Sequence, residues 1–322
     1  MPKPAAKEQT LMDEVEAALA KECPWSEERQ HPTLYHYTDS VGFKGILESQ
    51  KVRATHFEHL NDRNELLRGE QLVTEELEKI VSESSDGTAL RILRPLLGEF
   101  RKEPPSTITD FYIASFSEES DLLSQWRAYA SNASGYVIGF KTLIPPESIN
   151  GPTDPIRPSA IIYRCDYSGE SLKKYTQTLI SKSIPIINEF ICNHPAETLA
   201  IVVAGWKFLY LALTIEIPRY KDHAFHEENE WRIVAIPAPG RRYADTEFRA
   251  TNKGLRPYFN VELFQTKGLL DIVEIVIGPD QDKNVAPKTT AAFLQRLGYT
   301  PKLTRDSHDA VLVRSSVAPY RG

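Results

Sequence analysis

Apolar residues recur at helical spacing from Gly169 to Ile217, and the segments on both sides of this block read as strands. Helices of that length cannot join a sheet, so they must pack against one as a layer. The chain is thereby directed to a mixed α+β single domain carrying a helical insertion at about 169–217.

The rest of the pattern fits that plan. Leu11, Val15 and Leu19 recur every fourth residue, predicting a helix over Thr10–Lys21 that Pro24 closes, within an N-terminal helical extension covering 1–32. From 33 onward the chain reads as one domain. Thr33–Thr38 is a short strand, Asp39 or Ser40 caps a helix with Phe43, Ile46 and Leu47 on one face, and a strand follows at Val52–Thr55. Asn61 or Asp62 opens a further helix, and another covers Ala89–Phe100. Beyond Pro104 and Pro105 come a strand at Ile108–Ser115, a helix at Asp121–Tyr129 and a strand at Tyr136–Phe140. A Pro-rich excursion at Pro145–Pro158 precedes a strand at Ala160–Arg164. After the insertion, strands are expected at Trp231–Ile236, Thr246–Asn252, Arg256–Leu263 and Ile272–Ile277, then a helix at Ala286–Leu297 and a short strand near Lys302.

Composition bounds the class of function. With 322 residues and 41% hydrophobic content, the chain can bury an enzyme-sized core. Its 44 acidic residues exceed 38 Lys and Arg, a net charge of -6, so no global basic field recruits nucleic acid or an anionic membrane. Cys23, Cys165 and Cys192 lack C-x-x-C spacing, which fits a reducing compartment, expected to be the cytoplasm. The most apolar run, Leu199–Ile217, is interrupted by Lys207 and Glu216 and reads as a buried core helix, so no membrane partner is expected.

Familiar nucleotide and hydrolase signatures are missing: the sequence has no G-x-G-x-x-G, no G-x-x-x-x-G-K-[ST] and no G-x-S-x-G. Cys192 and His194 fall in the helical block and read as structural. The H-x-x-H pairs His56/His59 and His223/His226 have no third ligand in view, so no metal site is expected.

What remains is carboxylate chemistry. In His226-Glu227-Glu228-Asn229-Glu230-Trp231-Arg232-Ile233-Val234, Glu228 and Glu230 have E-x-E spacing at the start of a strand. Residues two apart on an extended backbone share a side, so both acids are expected to face one cleft while Trp231 and Ile233 enter the core. A surface ion pair with Arg232 is the competing use. His36, between Tyr35 and Tyr37 on an early strand, is the second candidate. The block Ser115-Phe116-Ser117 followed by Trp126-Arg127-Ala128-Tyr129 is the third; Trp126 reads as core, and Tyr129 can stack on a flat ring.

Together, Leu34–Thr38, Asn61-Asp62, Ser115–Ser117, Trp126–Tyr129, Gly135–Phe140, Phe225–Val234, Ile275–Pro279 and Pro319–Arg321 resemble the bacterial family called domain of unknown function 2971. That family looks related to ADP-ribosyltransferases. The resemblance implies a split mixed or antiparallel sheet that binds NAD in a cleft. It also implies that His36 holds the adenosine ribose and Glu230 binds the nicotinamide ribose, with Glu228 completing an E-x-E. Ser115, Ser117 and Tyr129 all remain candidates for the middle position.

On this reading Glu230 stabilises the oxocarbenium charge that develops as the ribose–nicotinamide bond breaks, and Glu228 orients the acceptor. Tyr35, Tyr37 or Tyr129 covers the nicotinamide, with Thr38 beside them, and Arg53 or Arg127 meets the pyrophosphate. The expected function is mono-ADP-ribosylation of a protein or nucleic-acid acceptor, as in a toxin or phage-defence effector. The alternatives are an NAD glycohydrolase and a nucleotide-sensing or protein-binding module of the same fold without turnover. Glu230→Gln is expected to abolish NAD cleavage with folding intact, and an empty or blocked cleft would favour sensing.

Overall fold

The computed structural model describes residues 6–23, 31–60, 64–143, 160–236, 246–251, 254–303 and 310–320. In chain order the elements are α1 (Ala6–Glu22), β1 (Leu34–Thr38), α2 (Ser40–Ser49), β2 (Lys51–His56), α3 (Asn64–Glu83), α4 (Gly87–Lys102), the single turn α5 (Pro105–Ile108), β3 (Tyr112–Ser117) and α6 (Leu123–Tyr129). These continue with β4 (Tyr136–Phe140), β5 (Ile161–Arg164), α7 (Glu170–Asn193), α8 (Thr198–Glu216), β6 (Glu230–Ala235), β7 (Glu247–Thr251), β8 (Gly254–Glu262), β9 (Gln265–Thr266), β10 (Leu269–Leu270), β11 (Ile272–Ile277), α9 (Ala286–Arg296), β12 (Pro301–Lys302) and β13 (Val311–Ser315).

Local chemistry sets several boundaries. The Asp39 carboxylate accepts from Gly42 N at 2.6 Å and so starts α2, and Asp86 accepts from Thr88 N at 2.8 Å and starts α4. The strand expected from Ile108 begins only at Tyr112, because Pro105 sits at the first position of the turn α5, where its fixed φ suits a helix start. The strand β13 and the β9–β10 ladder were not anticipated; β9 and β10, of two residues each, are too short to show a periodicity. Asn61, Asp62 and the 145–158 excursion lie outside the described residues.

Eleven strands form one mixed sheet in the order β12-β13-β11-β4-β1-β3-β2-β8-β7, with β6 on the other edge of β3 and β5 beyond it. Among the strand pairs of the described residues only β11–β13 and β12–β13 are parallel. The sheet forks at β3. One edge of β3 pairs continuously with β6, from Tyr112↔Ala235 to Ser117↔Glu230. The other edge is shared: β2 takes its start, at His56↔Tyr112 and Thr55↔Ile113, and β1 takes its end, at Tyr35↔Ser117. Between those contacts β1 leaves with β4 and β2 leaves with β8, so two arms diverge around Ser115.

The two faces carry different layers. On one face Ala114, Phe116, Ile162, Trp231 and Ile233 pack with Phe43, Ile46 and Leu47 of α2 and Leu294 of α9. On the other face, Ile113, Ile161, Tyr163 and Val234 meet the helices α1, α3, α4, α7 and α8. The predicted insertion is thus the middle of a helical layer. The N-terminal helix joins it, since Leu11, Met12, Val15 and Leu19 are buried in the same core. Each such buried side chain contributes about 1.5–3 kcal/mol. The span 195–219 is long and apolar enough to cross a membrane by length and composition, and half of its apolar window is buried inside the protein. Here Ile201, Ala204, Phe208, Leu209 and Leu213 enter the core.

Candidate functional site

Two polar centres lie on the sheet, one sealed on its helical face and one open at the fork. The sealed centre is built on β6. Every residue of that strand is buried, because α2 and α9 cover one side and the helical layer covers the other. Glu230 and Arg232 alternate with Trp231 and Ile233, as the sequence predicts, but the side they share faces helices rather than an open cleft.

Around them five charges interlock. Arg232 Nε donates to Glu230 Oε1 at 2.8 Å, its Nη1 donates to the carbonyls of Pro218 at 2.8 Å and Tyr220 at 3.1 Å, and its Nη2 pairs with Glu65 of α3. Lys221 pairs with the other oxygen of Glu230, with Glu228 at 2.9 Å and with Glu65 at 3.5 Å. Gly69 makes room for this. A Cβ there would stand 2.7 Å from the Ile217 carbonyl, so only glycine lets α3 bring Glu65 this near the 217–221 turn.

The charges tune one another. Burial alone would raise the Glu230 carboxyl, but Arg232 and Lys221 outweigh it and hold the group at about 2. Burial alone would likewise lower the Lys221 ammonium, and Glu230 with Glu65 and Glu228 drives it upward instead. Three carboxylates face two cations, and Glu228 takes the strain: burial raises its carboxyl despite Lys221. Asn229, at φ 41°, turns the chain into β6, and Ser117 Oγ clips that turn by donating to the Glu228 carbonyl at 2.6 Å.

The open centre is the fork. Ser115 is exposed although it sits in the middle of the sheet, because neither arm covers it. Half-buried His36 directs Nδ1 to the Ser115 carbonyl at 2.9 Å and leans on Phe116, ring centroids 5.2 Å apart. Burial lowers the imidazole pKa, the Ser115 carbonyl opposes this, and the nearby Arg249 charge adds to it. On the other arm Arg53 lies 4.9 Å over the Tyr258 ring, and Arg249 Nη2 donates to Thr55 Oγ1 at 3.4 Å.

The predicted residues thus divide. His36, Ser115 and Arg53 border the fork. Glu228 and Glu230 are locked in the sealed centre, and buried Ser117 holds its turn. Tyr35 donates to Glu274 Oε1 at 2.9 Å, and Tyr37 donates to the Glu119 carbonyl and accepts from Leu122 N, both at 2.8 Å, so both hydroxyls are committed to the β1 surroundings. Thr38 packs against Gly42 of α2. Arg127 and Tyr129 lie on the outer side of α6, while Trp126 is fully buried. His56 is buried and bonded to Asp110 at 3.0 Å, and His223 stacks on His226 at 5.0 Å. Among the described residues no group of three metal-ligating side chains comes together.

Sequence reasoning missed Glu65, Lys221, Arg249 and Arg256. The nearest signal was Lys221, which precedes the E-x-E by seven residues in the charged return from α8. Residues 125–233 match a family model described as "Protein of unknown function (DUF2971)". No curated protein and no solved structure matches the chain.

Proposed function

We propose that this protein binds NAD or a closely related dinucleotide at the fork between the β1 and β2 arms, and acts as a recognition module rather than as an ADP-ribosyltransferase. One observation carries the reading: the E-x-E carboxylates are paired with cations and enclosed, whereas the fork beside His36 is open. A carboxylate stabilises an oxocarbenium ion by an interaction that strengthens in the transition state. Glu230 already spends both oxygens on Arg232 and Lys221, and α3 stands between it and solvent. The fork offers what a nucleotide needs: an imidazole, an exposed serine and unpaired guanidinium groups.

The transferase remains the second reading, favoured by a specific feature. Lys221 and half-exposed Phe225, 4.9 Å apart, belong to one short segment over the acids. Movement of that segment would uncover Glu228 and Glu230 on the face they share, where a protein or nucleic-acid acceptor could be modified.

Titrating the purified protein with NAD by calorimetry, while measuring free nicotinamide, separates the two. Binding without nicotinamide release, weakened by His36→Ala, supports the module. Nicotinamide release that Glu230→Gln abolishes under conditions where the variant remains folded would establish the transferase, and no binding at all removes both.

A further inference from the structure

We propose that Arg53, Arg249 and Arg256 form an anion site on the β2–β8–β7 arm that takes a pyrophosphate group, the phosphate portion of the ligand held at the fork. The inference rests on the nucleotide reading for the ligand's organic part only.

The register puts the three guanidinium groups on one face. Arg249 on β7 stands directly across from Arg256 on β8, Tyr258 across from Thr55, and Asn260 across from Arg53 on β2. Opposed residues share a side, as do residues two apart along a strand. Arg53 confirms the arrangement by lying over Tyr258, and Arg249 by reaching Thr55.

Like charges directly opposite in an antiparallel pair destabilise it. Relief is slight: the Asp39 carboxylate acts on Arg249 only from a distance, and among the described residues none of the three arginines has a carboxylate within ion-pair distance. The acids on this face are already engaged, Glu247 by Tyr258 and Asn260 at 2.6 and 2.7 Å, and Glu262 by Lys51 at 3.0 Å. Arg249 Nε is buried with no acceptor at all. A buried donor without a partner is costly, and three planar donor forks on one face suit the oxygens of a diphosphate. The mutual effect is visible in Arg249, whose pKa burial lowers first and Arg256 and Arg53 lower further. The site lies beside the fork, since Arg249 and Arg53 flank Thr55, the residue at which β2 still pairs with β3.

The test uses inorganic pyrophosphate and NAD as separate probes on the full chain. Pyrophosphate should bind the wild type and raise its Tm, and Arg249→Gln or Arg256→Gln should weaken it by about ten- to a hundredfold, the loss of one or two charge-assisted bonds. Both variants should fold with an unchanged or higher Tm in the absence of anion, because each removes a cross-strand repulsion. Arg127→Gln, on the outer side of α6, should bind as the wild type does. No pyrophosphate binding by the wild type, or equal binding by the Arg249 and Arg256 variants, overturns the site. Pyrophosphate binding without NAD binding leaves the site standing and refutes the nucleotide reading. The converse, NAD bound equally by all the variants, keeps that reading and refutes the site.

Discussion

His36 and Glu230 point to opposite faces of one sheet. Tyr35 pairs with Ser117 and Ser117 pairs with Glu230, so these three side chains share a face, and His36, the neighbour of Tyr35, turns to the other. The two residues expected to grip the two riboses of one NAD molecule are separated by the sheet itself. His36 reaches the fork only because β1 departs from β3 there, and Glu230 has no comparable gap.

Glu230 therefore acts first on stability. Glu230→Gln leaves Lys221 and Arg232 buried beside a neutral amide, and breaking one partner of a buried ion network costs about 3–5 kcal/mol. Urea unfolding should show that loss with an unchanged m-value. A variant as stable as the wild type would mean that Glu230 is exposed in solution.

Much of the fold was legible because its signals are local. Asp39 caps α2, and the length and apolar content of α8 mark it as a core helix. The fate of the E-x-E was not, because the strand pattern specifies which residues share a side and not what covers that side. The spacing alone offers Arg232 as the partner in a surface ion pair. It is an ion pair, but a buried one, because Glu65 arrives from a helix more than 160 positions earlier. Arg249 and Arg256 were invisible for a similar reason: their opposition depends on hairpin register, which neither arginine signals by itself.

The same network predicts an acid limb. Glu230 is lowered from an ordinary value of 4.5 to about 2, so its contribution is complete above pH 4.5 and disappears as pH falls toward 2. The amount is about 3 kcal/mol. Glu228 runs the other way. Its carboxyl is raised, so it favours the fold below pH 4.5 and loses that contribution as pH rises through its folded value. Glu228→Gln should therefore stabilise the protein at pH 7 relative to pH 4, whereas Glu230→Gln should flatten the acid limb between 4.5 and 2. Superimposable stability–pH curves for the two variants would contradict the assignment.

Gly69 should be as demanding as a core residue. Gly69→Ala sets a methyl 2.7 Å from the Ile217 carbonyl and forces α3 away from the turn that carries Lys221. Overpacking of this kind costs about 1–3 kcal/mol, and the displaced Glu65 also releases Arg232. Combining Gly69→Ala with Glu65→Gln should cost less than the sum of the two, because both disturb one contact. Strict additivity in that double-mutant cycle would show that α3 and the charged turn are independent.

His36 reports on the arginines across the fork. Its imidazole is lowered below its ordinary 6.5, by burial first, against the Ser115 hydrogen bond, and then by the Arg249 charge. A group lowered on folding favours the folded state above its unfolded pKa, and that contribution fades as pH falls through the folded value. Following the His36 Cε1 proton by NMR should thus give a midpoint under 6.5 in the wild type. Arg249→Gln removes one of the lowering charges, so the midpoint should rise, and pyrophosphate added to the wild type should raise it as well by screening Arg249. Ser115 contributes through its carbonyl, so Ser115→Ala should leave the midpoint where it was. A His36 midpoint indifferent to both Arg249→Gln and pyrophosphate would uncouple the imidazole from the arginine arm, and the fork would then be two separate surfaces rather than one site.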